Sequence, residues 1–358
     1  MDVPVHYSDR GPLDRGAPLT TSKPLVSVII PCHNSAKTIG LSVGSALNQT
    51  YAPIEVVVVD DASTDETPQI VRQLDCALVE LTANVGAGPA RNRGIAASRG
   101  EILFFLDSDV ALAPDAVANA VQIFQEHPSY GAVWGVYGNR PLVDDGVVEW
   151  VQVLYGHYRA TRKLGPARTG HFASGAVPRW VIDSIGAFDE RLLGQYANED
   201  HELSLRIAEH YPVTRTLSVI GYHDDDDRLS SVLRKLYKRA ISLVPLVLKQ
   251  RDLKPEKEAT HRPAEVAAAF LATVTVPLVL LSPYLAAVPL ALFAWFVAVN
   301  LPMLRYVRRT AGWRMVPPSV LLTFAYGLAI SAGALSGGVR YLLDARFRRR
   351  YQTPAGAH

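Results

Sequence analysis

The chain has 358 residues, a formal net charge of +2, 49% hydrophobic residues and 20% charged residues. That length supports one large or two ordinary domains with a sizeable core. The near-neutral charge argues against a nucleic-acid-binding field, and the apolar content excludes wholesale disorder.

Residues 1–24 are polar and carry Pro4, Pro12, Pro18 and Pro24, which predicts a loose N-terminal arm without a signal peptide. Leu25–Ile30 is a short β-branched run closed by Pro31, the pattern of a buried parallel strand with a loop at its C-terminal end. Thr38–Gln49 reads as a helix, and Ile54–Val59 as a second buried strand that stops at Asp60-Asp61. Ser63-Thr64-Asp65-Glu66 is a helix-start signature for Thr67–Leu74. Cys76–Leu81 is a third strand, Ala87–Ser98 a helix, and Glu101–Leu106 a fourth strand ending at Asp107-Ser108-Asp109. This alternation predicts a doubly wound α/β sheet, in which ligands bind beyond the carboxyl ends of the strands. The polar clusters His33-Asn34, Asp60-Asp61 and Asp107 with Asp109 fall there. Cys32 and Cys76 form neither a disulfide framework nor a zinc site by themselves and are expected to be reduced thiols.

Ser129–Tyr222 is less periodic and reads as the acceptor-side half of one catalytic domain spanning 25–228. Leu229, Val232, Leu233, Leu236, Ala240, Leu243, Val244 and Val247 follow helical spacing, with Arg234, Lys235, Lys238 and Arg239 between them. Within 229–258 this predicts a basic amphipathic helix on an anionic membrane surface, or else a core helix with a solvated basic face. Residues 259–345 read as a membrane domain and 346–358 as a basic tail. Val266–Leu304 holds 39 consecutive residues (304 − 266 + 1) without a formal charge. As one helix it would span about 58 Å against roughly 30 Å of hydrocarbon, so it folds back, with Ser282-Pro283-Tyr284 as the break. The hairpin is then about Glu265–Leu281 and Leu285–Leu304, with Arg305, Arg308, Arg309 and Arg314 on the cytoplasmic side with the catalytic domain. A third segment, about Ser319–Val339, leaves two topologies open. If it spans, Arg346, Arg348, Arg349 and Arg350 end on the far side, against the positive-inside rule; a re-entrant or tilted segment removes that conflict.

Asp107-Ser108-Asp109 is the sharpest local signal, because two carboxylates at alternate positions on a strand end can share a hard divalent cation. Mg²⁺ or Mn²⁺ there would neutralise a diphosphate leaving group. Asp61 suits a ribose or base contact, or a helix cap. Arg91 or Arg93 suits a phosphate or base. Asp200, in Asn198-Glu199-Asp200, suits a general base or a cap. His223, followed by four aspartates, suits the acidic metal site.

The ordered set Val26-Ser27-Val28-Ile29-Ile30-Pro31-Cys32-His33-Asn34, Val58-Val59-Asp60-Asp61-Ala62-Ser63-Thr64-Asp65, Ala90-Arg91-Asn92-Arg93-Gly94, Phe105-Leu106-Asp107-Ser108-Asp109 and Asn198-Glu199-Asp200 resembles the family-two glycosyltransferases, over about residues 25–225. The resemblance implies an inverting enzyme with the A-type nucleotide-diphospho-sugar transferase fold, here with C-terminal transmembrane helices. It implies a donor site of Pro31, His33, Asn34, Asp61, Arg91, Asp107, Ser108 and Glu199. Within it Pro31 lies against the nucleotide base, Asp61 contacts that base, Arg91 lies near base and phosphates, and Asp107 contacts the nucleotide sugar. It also implies a Mn²⁺ or Mg²⁺ site of Asp109 and His223, and Asp200 as the base that deprotonates the acceptor hydroxyl. Gly186-Ala187-Phe188-Asp189-Glu190 matches the segment before that base and reads as structural.

One departure bears on substrate. Processive members carry Gln-x-x-Arg-Trp after the base, and Leu229–Gln250 contains no tryptophan, which favours transfer of a single sugar. The apolar C-terminal part points to a lipid-linked or membrane-associated acceptor and to membrane lipids as partners. A polyprenyl-phosphate hexose synthase, with a phosphate acceptor, is the alternative. A nucleotidyltransferase would show a Gly-rich basic loop after the first strand, which Pro31-Cys32-His33-Asn34 does not resemble.

Overall fold

The computed structural model describes residues 23–192, 199–249 and 263–349. The expected arm up to residue 22, Asn198, the linker 250–262 and the tail from Arg350 lie outside the described residues, as do the side chains of 246–249, Arg346 and Arg349. The chain divides into two compact units, one of residues 1–143 with 159–224 and one of 144–158 with 225–358.

The first unit contains, in order, β1 (Val26–Cys32), α1 (Ile39–Leu47), β2 (Ile54–Asp60), α2 (Thr67–Val71), β3 (Ala77–Glu80), α3 (Ala87–Ala97), β4 (Ile102–Leu106), β5 (Val110–Leu112), α4 (Ala116–Glu126) and β6 (Ala132–Tyr137). After α5 (Val147–Ala160) come β7 (Gly165–Pro166), β8 (Ser174–Pro178), α6 (Arg179–Ile185), α7 (Glu199–His210) and β9 (Val213–His223). Eight strands lie in the order β3-β2-β1-β4-β8-β6-β9-β5, and β7 pairs with β9 off that path.

β3, β2, β1 and β4 are parallel, and the largely apolar, buried runs of β1, β2 and β4 suit a sheet covered on both faces. Beyond β4 the sheet is mixed. β8 is antiparallel to β4 and β6, β9 is parallel to β6, and β5 is antiparallel to β9. The parallel winding expected from the first half therefore does not continue through the second. Strand alternation sorts the core onto two faces. Val28, Ile30, Phe104 and Leu106 pack with α1 and α4 residues such as Val43 and Phe124. Ile29, Leu103 and Phe105 pack with Trp134, Phe172, Phe188, Leu203 and Ile207. Each fully buried side chain of this kind contributes about 1.5–3 kcal/mol. Gly94 lets α3 lie directly on the sheet, since a Cβ there would collide with Ile29 Cγ2. Register then aligns the strand ends, with Cys32 opposite Asp60 and Leu106 opposite Ser174.

The second unit contains α5 through Tyr158, α8 (Leu229–Lys249), α9 (Pro263–Val274), α10 (Ala287–Ala311), α11 (Val316–Leu343) and α12 (Ala345–Arg349), with short 3₁₀ turns at Val276–Leu280, Pro283–Ala286 and Trp313–Met315. Three stretches, Pro263–Leu280, Pro283–Ala311 and Trp313–Leu343, are long and apolar enough to cross a membrane. The expected break is present: Ser282 is extended (φ −162°, ψ 136°) between two 3₁₀ turns. Phe293 and Phe296 of α10 pack edge-on against Phe324, and Met303, Leu304 and Val307 pack with Val316 and Val320. α10 and α11 are therefore antiparallel neighbours. α8 packs along α11 through Val232, Leu236, Leu322 and Tyr326.

Candidate active site

The loops after β1, β2 and β4 meet beyond the carboxyl ends of the parallel strands. Two of them contain non-glycine residues in the left-handed region, Asn34 (φ 52°) and Ala62 (φ 55°), and such strain persists where the surroundings over-determine the backbone. Asn34 ties the loops together: its amide donates to Ser63 Oγ (2.9 Å) and its Oδ1 accepts from the Thr64 amide (2.8 Å). His33 Nδ1 lies 2.8 Å from the Asp61 carbonyl, and the hydroxyls of Ser35 and Ser108 are 2.8 Å apart. Pro31 sits opposite Val59 in the register.

Asp61 does not cap the helix that follows it. Its carboxylate accepts from the Val85 amide (2.7 Å) and the Gly86 amide (2.8 Å), clasping the turn into α3. Gly86 has φ 92°, a conformation that favours glycine. A base contact at Asp61 would use the lone pairs that remain.

Arg91 is the centre of the site. Its side chain is 3% exposed, with Nη1 2.6 Å from Asp200 Oδ1, Nη2 2.8 Å from Asp107 Oδ1, and Glu199 at 3.6 Å. The guanidinium also lies 5.4 Å from the Phe188 ring centroid. Burial by itself would lower the Arg91 pKa, but Asp200, Asp107 and Glu199 outweigh it and raise the pKa further. Asp107 is pushed up, first by burial and then by Asp109 and Asp200, against the pull of Arg91. The guanidinium thus bridges two carboxylates through separate nitrogens, a geometry a lysine point charge does not reproduce. Arg93, by contrast, is an exposed partner of Glu190 (3.1 Å). Asn92 holds the segment before α7 through reciprocal bonds with the Phe188 backbone (2.9 and 3.0 Å).

Asp109 and His223, far apart in sequence, are brought together: Oδ2 and Nε2 are 3.5 Å apart, and the imidazole stacks on Tyr137 at 4.6 Å. Two donors about 2.1 Å from one small cation lie roughly 3 Å apart in adjacent positions, so the pair fits a Mg²⁺-sized ion and leaves its other positions to diphosphate oxygens and water. Among the described residues no group of three or more His, Cys, Asp or Glu side chains forms a closed metal cage. The aspartate run after His223 is ion-paired instead, Asp224 with Lys37 (2.9 Å) and Asp226 with Lys235 (2.7 Å). Lys37 and Tyr137 were not singled out in the sequence; neither belongs to a recognisable motif, and each becomes relevant only through pairing with β9 and the chain just after it.

Burial, then the field of Asp60, pushes the Cys32 thiol well above its usual range; burial and Asp75 raise Cys76. The native protein is expected to resist iodoacetamide at pH 8 and to label at both cysteines once denatured. Rapid native labelling of Cys32, located by peptide mass mapping, would contradict its buried place beside Asp60.

Residues 27–177 match the family model for glycosyl transferase family 2. An uncharacterised glycosyltransferase of Rickettsia prowazekii is 27% identical over 243 residues, 62% of this chain and 75% of that protein. WfaP of Escherichia coli, a UDP-Glc:α-D-GlcNAc-diphosphoundecaprenol β-1,3-glucosyltransferase, is 33% identical over 126 residues, 34% of this chain and 50% of WfaP. Other curated relatives are matched over about a third of their own length (35% and 31%). Among solved structures, a mannosyltransferase from Pyrobaculum calidifontis in complex with GDP-Man and Mn²⁺ aligns over 91% of each chain with a TM-score of 0.52 and 24% identity. The fold is the mixed α/β sheet of A-type glycosyltransferases, followed by three helices long and apolar enough to span a membrane.

Proposed function

We propose that this chain transfers one sugar, with inversion, from a nucleotide-diphospho-sugar to a hydroxyl of a lipid-linked acceptor at a membrane. The observation that carries the reading is the buried Arg91 fork, which holds Asp200 and Asp107 at the end of the strand that also delivers Asp109 to His223. The donor's base and ribose lie over the loops of Pro31, His33, Asn34 and Asp61, its sugar beside Asp107, Ser108 and Glu199, and its diphosphate towards Asp109 and His223. Asp200 accepts the acceptor's hydroxyl proton. The oxygen then attacks the anomeric carbon, and the bond to the diphosphate breaks with its electron pair leaving on the diphosphate oxygen. Mn²⁺ or Mg²⁺ held by Asp109 and His223 would offset the charge on that leaving group. The lipid-linked acceptor is supported by the apolar helices of the second unit and by the diphosphoundecaprenol named for WfaP. The catalytic domain, proposed as residues 25–228, would face the cytoplasm, where nucleotide sugars are made available. No nucleic-acid partner is proposed.

The acceptor class is tested by incubating the detergent-purified protein with labelled nucleotide sugars and a membrane lipid extract. Label in the organic phase, in a β-linked product from an α-linked donor, is the expected result; label confined to water-soluble products would overturn the lipid-linked acceptor. Asp109→Asn and His223→Gln are each expected to weaken Mn²⁺ binding in the presence of nucleoside diphosphate, read by calorimetry, by about tenfold or more. Unchanged Mn²⁺ affinity in both would remove the pair from the metal site.

A further inference from the structure

The chain from Lys163 to Phe172, between α5 and β8, is held as a fixed surface that ends at Asp200. Arg215 of β9 donates to the Lys163 carbonyl (3.4 Å) and to the Thr169 carbonyl (2.7 Å), so one guanidinium gathers the two ends of the loop. Gly170 lies flush on Trp134, where a Cβ would collide with the indole, and its carbonyl accepts from Ser204 Oγ (3.1 Å). Two residues on, the Phe172 amide donates to Asp200 Oδ2 (3.4 Å).

That surface is basic. No Asp or Glu occurs between Glu149 and Asp183, a stretch that carries Arg162, Lys163 and Arg168, and β9 adds Arg215 without an acid of its own. Arg162, Arg168 and His171 are exposed. The acids in the first turn of α7, which Ser204 joins to the loop, are engaged elsewhere: Glu199 and Asp200 by Arg91, and Glu202 by Arg206 (2.7 Å). A surface lined by one sign of charge concentrates ions of the other, and arginine matches the several oxygens of a phosphate. Arg168 precedes Phe172 by four residues (172 − 168), at most about 14 Å of chain. One sugar ring and an arginine side chain cover that span between them.

We propose that this loop is an acceptor subsite for phosphate. With the attacking hydroxyl at Asp200, the acceptor's sugar lies along Gly170–Phe172, and the phosphate that joins it to its lipid meets Arg162, Lys163 and Arg168. The inference rests on Asp200 as the base and deepens that reading, because it narrows the acceptor to a sugar linked through phosphate or diphosphate and sets aside neutral glycolipids. Arg215 is then a positioning residue: it touches no substrate, but it brings the two ends of the basic loop together. A loop fixed before binding spends little affinity on being ordered.

The test uses the full-length protein in phosphatidylcholine nanodiscs, with farnesyl diphosphate as the probe and farnesol as its uncharged counterpart. EDTA is present, so that no cation holds the diphosphate at Asp109 and His223. Calorimetry, corrected for empty nanodiscs, is expected to show saturable binding of farnesyl diphosphate and none of farnesol. The double variant Arg162→Gln with Arg168→Gln should weaken that binding about tenfold or more. Arg72→Gln with Arg99→Gln removes the same charge from residues paired with Glu80 and Glu55, and should leave the affinity within about twofold. Equal loss in both double variants, or no loss in the first, would overturn the subsite. Phosphatidylglycerol nanodiscs offer phosphate as a bilayer headgroup; binding that they abolish would assign the cations to the bilayer surface and also overturn it. Because no donor is present, failure of this subsite is told apart from failure of Asp200 as the base, which turnover of Asp200→Asn reads.

Discussion

Asp200→Asn is expected to abolish turnover while leaving donor binding nearly intact. The substitution keeps the shape of the side chain, and its amide oxygen can still accept from Arg91 Nη1, which lies 2.6 Å from Asp200 Oδ1. What it removes is the group that takes the acceptor's proton, a loss of about 10²–10⁴ in rate. Weakening one charge-assisted hydrogen bond costs about 1–3 kcal/mol of stability. The thermal midpoint should therefore fall only modestly, and nucleoside diphosphate affinity should stay within about twofold, well under 1 kcal/mol. Loss of binding in parallel with turnover would remove Asp200 from the role of base. Retained turnover would favour a phosphate acceptor, which needs no proton taken from it.

Arg91 carries the second large effect, and here the structure and the resemblance point to different roles. The resemblance places Arg91 near the donor's base and phosphates; the structure buries it beneath Phe188 and uses its fork on Asp200 and Asp107. Arg91→Met strands three carboxylates around a vanished cation. Asp107 and Asp200 keep some contact with water, at 32% and 27% exposure, so the cost should sit at the low end for a broken buried pair, about 3 kcal/mol. For a domain of this size that lowers the thermal midpoint by about 6–12 °C. Arg91→Lys keeps the charge but not the two-pronged bridge between Asp200 and Asp107. Its expected signature is a fall in kcat of about tenfold to a hundredfold with donor KM little changed. A raised donor KM at unchanged kcat would instead mean that Arg91 contacts the donor itself.

The parallel half of the sheet was legible because β1, β2 and β4 are mostly apolar, β-branched or aromatic runs that close near Pro31, Asp60 and Asp107. The second half was not. β8 is Ser-Gly-Ala-Val-Pro, β6 is interrupted by Gly135, and β9 alternates weakly; none carries a strong period, and their partners are chosen by tertiary pairing. α5 reads in sequence as part of the catalytic domain, and its apolar side of Val151, Leu154, Tyr155 and Tyr158 is evident there. Which unit covers that side is decided by contacts with residues more than a hundred positions away, such as Met303 and Tyr326. The site shows the same division. Asp107 and Asp109 announce themselves through their position at a strand end. The Arg91–Asp200 pair joins residues 109 positions apart, and the Asp61 clasp on Val85 and Gly86 reaches past the adjacent helix. Local spacing encodes neither pairing.

Metal-dependent donor turnover by the purified full-length protein tests the central claim most directly. UDP-, GDP- and dTDP-sugars are each supplied with Mn²⁺ or Mg²⁺ and a membrane lipid extract, and released nucleoside diphosphate is measured. The account predicts release from one donor class that disappears in EDTA and in Asp200→Asn. Release that persists in both, or no release from any donor by protein that binds nucleotide calorimetrically, would contradict it.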